Sequence, residues 1–187
     1  SATANWSVES NQTSAALGLP VSAAGDVNGD GYADVIVGAY GYDNDKTNEG
    51  RAYVYHGSST GLSATANWTA ESNQSTSEFG RAAASAGDVN GDGYSDVIVG
   101  ANLYDNGQTN EGRAYVYHGS SAGLSATANW TAESDQSTSV FGWAVAGAGD
   151  VNGDGYSDVI VGASGYNNGE TDEGRVYVYH GSSAGLS

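Results

Sequence analysis

The sequence predicts an all-β fold of repeated four-stranded antiparallel sheets, and three observations predict it. A 62-residue unit occurs three times, each unit holds four short β-type runs, and those runs are bounded by glycine or polar turns. The repeat is read first, because it decides the architecture before any single element does. Trp6, Trp68 and Trp130 are 62 residues apart, as are Asp26, Asp88 and Asp150, and His56, His118 and His180. The 187 residues form a single unit of organisation, residues 1–187, made of repeats 1–62, 63–124 and 125–186, with Ser187 opening a fourth. The second and third repeats differ at 11 positions; the first and second differ at 18, ten of them between Thr13 and Ala23. Such near identity fits recent duplication, an engineered repeat, or a structure that demands the same residue at each step.

Each element has its own justification, taken in order through the middle repeat. Phe79–Ala86 is small and apolar. Its alanines favour a helix in isolation, but Gly80 and the stop at Gly87 leave it too short, so it reads as a strand in a crowded place. Tyr94–Ala101 is a β-branched run ending at glycine, and Arg113–His118 alternates between Gly112 and Gly119; both read as strands. Ala126–Ala132 alternates weakly and reads as an edge strand. Four strands in about 60 residues, recurring, is the spacing of a β-propeller blade. A β-sandwich module needs about seven strands.

Composition narrows the functional classes. There are 22 acidic and 5 basic residues, a formal charge of −17, so nucleic acid and anionic membrane surfaces are disfavoured as partners. The 13 tyrosines and 4 tryptophans oppose disorder. Cysteine is absent, which excludes disulfides and thiolate chemistry and fits either a cytosolic protein or a secreted one held by another staple. Methionine is absent too, so the chain reads as processed or trimmed. No apolar run approaches the ~20 residues that span a bilayer.

The motif that carries chemistry is Gly-Asp-Val-Asn-Gly-Asp-Gly-Tyr-(Ala/Ser)-Asp, once per repeat. Loop positions 1, 3, 5 and 9 are Asp26, Asn28, Asp30 and Asp34; then Asp88, Asn90, Asp92 and Asp96; then Asp150, Asn152, Asp154 and Asp158. The carbonyls of Tyr32, Tyr94 and Tyr156 at position 7 add one oxygen each. Calcium takes six to eight hard oxygens at ~2.3–2.6 Å in flexible geometry, so three Ca2+ ions per chain are expected. Magnesium keeps its waters, and zinc wants His or Cys, which the loops lack. The loop is not an EF-hand: position 12 is Val37, Val99 or Val161 where a bidentate Glu is required, and strands rather than helices flank it. The same test disfavours a dockerin.

Phe79-Gly80 followed by Gly87 to Ala101, repeated at Phe141-Gly142 and Gly149 to Ala163, resembles the FG-GAP repeat of integrin α-subunits. In the first repeat Leu17-Gly18 stands for Phe-Gly, while Gly25 to Ala39 is intact. Similar repeats occur in secreted bacterial proteins and in calcium-containing fungal lectins. The resemblance implies a propeller in which each calcium loop joins the first two strands of a blade. The integrin ligand-binding loops have no counterpart here, so adhesion does not transfer with the fold.

Three blades raise the question of closure, since rings have about four to eight. Residues 1–10 correspond to Ser125–Ser134 and read as the outer strand of a preceding blade; the last blade then lacks its own. Strand exchange between two chains closes six blades with two-fold symmetry, and a homodimer is expected. A seven-bladed homo-oligomer fails because three does not divide seven.

The remaining candidates receive plainer readings. His56, His118 and His180 are expected to hold strand ends, Trp6, Trp68 and Trp130 to pack between blades, and Trp143 to sit near the axis. Arg51, Arg113 and Arg175 are expected to pair with nearby acids. No nucleophile–base pair or phosphate loop stands out. The expected function is a calcium-binding, extracellular, non-enzymatic propeller that scaffolds or binds a protein or glycan. The alternatives are a calcium-dependent lectin, a piece of a larger hydrolase or adhesin, and an engineered repeat without an evolved ligand.

Overall fold

The computed structural model describes residues 3–187, and its regular structure is entirely β. The first blade is β1 (Val21–Gly25), β2 (Asp34–Ala39), β3 (Arg51–Tyr55) and β4 (Trp68–Glu71). The second is β5 (Phe79–Gly87), β6 (Asp96–Ala101), β7 (Arg113–Tyr117) and β8 (Trp130–Glu133). The third is β9 (Phe141–Gly149), β10 (Asp158–Ala163) and β11 (Arg175–Tyr179). Each blade is an antiparallel meander in chain order, four-stranded in the first two and three-stranded in the third. Among the described residues no helix is long and apolar enough to cross a membrane.

The strand forming each blade's centre is Asp-Val-Ile-Val-Gly-Ala, an unbroken apolar run rather than an alternating one. The reason is burial on both faces. Ile98 pairs with Ala84 on one side and Val116 on the other, and blades stack above and below it. Val97, Val99, Tyr115, Tyr117 and Phe79 meet Ile36, Ala52 and Val54 of the first blade. Ile98, Ala114 and Val116 meet Phe141, Val159 and Val161 of the third. The core thus lies between blades, and β6 is buried along its whole length.

Glycine lets the blades approach near their first strands. A Cβ on Gly38 would lie 2.1 Å from the Gly80 carbonyl oxygen, and one on Gly100 would lie 2.1 Å from that of Gly142. The glycine of Phe-Gly and that of Val-Gly-Ala therefore face each other across both blade junctions. Further out, Trp68 packs edge-on against Tyr117 at 4.8 Å while its indole N–H donates to the Ser125 carbonyl at 2.9 Å. Trp130 packs on Tyr179 in the same way, so the tryptophans join neighbouring blades. Trp6 makes the equivalent contacts with Tyr55 and Ser63.

Two strand boundaries differ from those expected. Tyr94 and Ser95 belong to the loop, because their amides donate to Asp92 and to the Asp26 carbonyl of the preceding blade. Residues 126–129 precede β8 rather than join it. There the Asn129 side chain accepts the His118 amide, and side-chain hydrogen bonds of this kind compete with a ladder. The segment read as an outer strand at 1–10 has its first two residues outside the described ones; residues 3–10 pair with no strand and lie against the first blade through Trp6.

Candidate metal centre

Each Asp-rich loop joins the first two strands of its blade: Asp26–Asp34 links β1 to β2, Asp88–Asp96 links β5 to β6, and Asp150–Asp158 links β9 to β10. The loop coils because its acids hold its own backbone. Asp88 accepts the Gly91 and Asp92 amides on Oδ1 at 2.7 and 3.1 Å, and the Gly93 amide on Oδ2 at 2.8 Å. Asn90 Oδ1 accepts the Asp92 amide, and Asp92 Oδ1 accepts that of Tyr94, both at 3.0 Å. The same contacts recur around Asp26, Asn28 and Asp30, and around Asp150, Asn152 and Asp154. Gly29, Gly31, Gly91, Gly93, Gly153 and Gly155 take positive φ, which the coil needs.

The ninth position is different in kind. Asp34, Asp96 and Asp158 are fully buried. Asp96 accepts the Val89 amide on Oδ2 and the Gly119 amide on Oδ1, both at 2.8 Å, tying the loop to the end of β7. Asp34 does the same with Val27 and Gly57, and Asp158 with Val151 and Gly181. Burial pushes the Asp96 carboxyl up to about 7, against the pull of its two amides, and the charges of Asp92 and Asp88 push the same way. Asp30 is instead held below the usual range by the Tyr32 amide and Asn28, and Asp150 by the Gly155 amide.

Chemically, the loops fit a hard divalent cation. Every side-chain donor is oxygen, Tyr32, Tyr94 and Tyr156 leave their carbonyls without a backbone hydrogen bond among the described residues, and no Lys or Arg lies in any loop. The loop side chains turn onto the loop backbone, however. Among the described residues, the acids gathered within 4.8 Å of one another are not those of a loop but Glu111, Glu133 and Asp135. Glu111 is fully buried and accepts the Asn106 amide, while Glu133 is held by Arg113 and by Asn106. This cluster tethers the β6–β7 loop to the outer strand; Asn73 stands one repeat earlier where Asp135 stands here.

Several residues around the loops act in ways the sequence did not signal. A Cβ on Gly29 would meet the Tyr94 ring at 2.6 Å, and one on Gly91 would meet Tyr156 at the same distance. The first two loops are thus each roofed by the position-7 tyrosine of the next, a role for the ring beyond that of its carbonyl. The recurring glycine at loop position 4 was the available signal. His56, His118 and His180 place Nδ1 against the Nδ2 of Asn28, Asn90 and Asn152, so they orient the loop amide. Burial lowers the His118 pKa. Arg51 and Arg113 pair with Glu71 and Glu133 as expected, whereas Arg175 lies over the Tyr166 ring with no carboxylate in salt-bridge reach among the described residues. Trp143 is half exposed on β9, 4.5 Å from the Arg81 guanidinium of the preceding blade.

Comparison with known proteins agrees with this geometry. Residues 20–55, 79–117 and 141–179 each match the FG-GAP repeat. The chain is 36% identical over 177 residues to rat phosphatidylinositol-glycan-specific phospholipase D, covering 86% of the chain and 21% of that protein. It is 37% identical over 154 residues to Drosophila melanogaster integrin alpha-PS2, covering 75% and 11%. It is 29% identical over 192 residues to Xenopus laevis integrin alpha-5, covering 97% and 18%. The chain spans about a fifth or less of these relatives' length. With three matched repeats, three sheets in propeller-blade form and one Asp-rich loop between the first two strands of each, the chain belongs to the FG-GAP repeat family.

Proposed function

We propose that the chain is a calcium-stabilised propeller module that works outside the cell as a scaffold or adhesion-type binding unit, without catalysis of its own. The observation that carries this reading is the way a loop is built into two blades at once. The Asp26 carbonyl accepts the Ser95 amide at 3.0 Å, and the Val27 carbonyl accepts the Ser120 amide at 3.1 Å; Asp88 and Val89 repeat this with Ser157 and Ser182. A cation held by Asp88, Asn90, Asp92, the Tyr94 carbonyl and Asp96 therefore stiffens its own hairpin and the junction to the next blade. The same holds for Asp26, Asn28, Asp30, Tyr32 and Asp34, and Asp150, Asn152, Asp154, Tyr156 and Asp158 complete the set of three. Three divalent ions, carrying +6, bring the formal −17 to −11. Calcium as the staple suits a cysteine-free chain in a calcium-rich exterior.

The test is calcium titration of the chelator-treated protein. Mass action gives about 2.7 kcal/mol of stabilisation per site at a hundredfold excess over Kd, with three ions per chain by calorimetry. An unchanged Tm on chelation refutes the proposal.

A second reading, a carbohydrate-binding module, is favoured by a groove of about 400 Å3 between the first two blades, lined by Tyr115, Tyr117, Thr69, Glu71 and Asn73. Tyrosines beside polar side chains suit a sugar. A glycan array separates this reading from the first.

A further inference from the structure

We propose that the second blade holds a further divalent cation, calcium by the chemistry of its donors, at Glu111, Glu133 and Asp135, outside the Asp-rich loops. One carboxylate oxygen from each of these three residues lies within 4.8 Å of the others. They come from separate places in the chain. Glu111 stands near the end of the β6–β7 loop, Glu133 closes β8, and Asp135 lies in the connection to β9.

Proximity of acids alone does not make a site; the second observation is the state of Glu111. Its side chain is fully buried. Oε1 accepts the Asn106 backbone amide, whereas Oε2 is buried with no hydrogen-bond partner among the described residues. A carboxylate oxygen shut away from water is costly unless a donor or a cation meets it. The nearby donors are already engaged. Arg113 gives Nε and Nη2 to Glu133 and Nη1 to the Tyr104 hydroxyl, and the Asn106 side chain donates to Glu133 Oε2 at 2.9 Å. Asp135 is the exposed member, so water has access to complete a coordination shell. The three acids carry −3 and Arg113 carries +1; one divalent cation cancels the remaining −2.

The first blade contains the same cradle with one change. Glu49 is buried and accepts the Asn44 amide, and Glu71 is held by Arg51 and by the Asn44 side chain. Asn73 stands where the second blade has Asp135, which leaves that cradle at −1, one charge short of a divalent ion. Glu49 also has no buried oxygen without a partner. The orphaned oxygen and the added aspartate thus occur together, in one blade of the two.

Every donor is an oxygen, and three acids from three segments make an irregular shell. Calcium accepts such a shell, whereas magnesium demands a near-ideal octahedron and zinc prefers nitrogen or sulfur. With one acid shared with Arg113 and one side open to water, this ion binds more weakly than an ion held by a whole loop. Its place gives it a distinct effect. The Glu111 carbonyl accepts the Phe141 amide and the Ser139 hydroxyl, both at 2.9 Å, where the third blade begins. An ion on the Glu111 side chain therefore staples the second and third blades at the end of the sheet opposite the Asp88–Asp96 loop.

The test is calcium titration of D135N beside its parent. The substitution gives the second blade the residue that the first blade already carries, so the fold tolerates it. Calorimetry should find one ion fewer per chain in D135N, or that ion weakened at least about tenfold, since affinity follows the charge of the ligand set. The difference between the two proteins reads this site alone and does not depend on how many ions the Asp-rich loops take. In NMR spectra the Asn106 side-chain amide should shift late in the titration of the parent and stay in place in D135N, while the Gly91 and Gly93 amides behave alike in both. Equal ion counts at equal affinity in D135N and its parent, or an Asn106 signal that calcium does not move in the parent, overturns the proposal.

Discussion

Replacing Gly100 by alanine should force the second and third blades apart. Its φ lies outside the left-handed range, so alanine is admitted by the backbone and only space is at issue. The new Cβ would lie 2.1 Å from the Gly142 oxygen and 3.0 Å from its carbonyl carbon. Ordinary contact is about 3.5 Å, so facing backbone, not a mobile side chain, must retreat by more than about 1 Å. Overpacking costs about 1–3 kcal/mol. Alanine recovers about 0.5–1 kcal/mol as a better strand residue. The net loss is about 1–2 kcal/mol, or about 2–8 °C in Tm for a chain of this length. Gly162 is the matched control, since its Cβ would meet nothing nearer than Ala144 Cβ at 3.7 Å. The assay is denaturant unfolding of both variants, dilute and in calcium. A G100A protein as stable as its parent refutes the argument that these glycines set the blade spacing.

Other outcomes follow from the same packing. Trp68→Ala removes a buried ring, its contact with Tyr117 and its hydrogen bond to Ser125, and should cost about 3–5 kcal/mol by chemical denaturation. In calcium-free protein, Asp96 has a folded pKa of about 7 against an ordinary 3.8. Its contribution to stability is therefore full below 3.8 and lost as pH rises through about 7. Tm of the chelated protein should accordingly fall between about pH 4 and about pH 7, measured by calorimetry; a rise attributable to this group, tested with D96N, refutes the assignment. Calcium binding near neutral pH should also release protons, read as a dependence of binding heat on buffer ionisation.

Much of the architecture was legible because the repeat made it so. Trp68, Asp88 and His118 mark one unit in the same places as their counterparts 62 residues away, and a turn followed by Val-Ile-Val reads as a strand in any of the three. The loop acids were legible for the same reason: alternate oxygens between glycines have few other uses. Less legible was the division of labour within the loop. Asp88 and Asp92 cap exposed backbone, whereas Asp96 is buried and bridges to Gly119. Nothing in the spacing separates those roles, because Gly119 is 23 residues further along and meets Asp96 only when β7 folds back. The Glu111–Glu133–Asp135 cluster was invisible for the same reason, as its members come from the β6–β7 loop, the end of β8 and the segment after it, which only the meander brings together.

By itself the sequence determined the repeat, the strand type and the oxygen-rich loops, since these depend on residues close together in the chain and on local conformational preference. Tertiary structure alone decided what lies between blades: the glycine backbones in contact at Gly100 and Gly142, the tyrosine roof over a loop, and the contrast between a buried Val116 and an exposed Val178 in the same repeat position. Identical residues acquire different environments because burial belongs to the neighbouring blade, and a repeat has no way of saying which of its copies stands at the end of the stack.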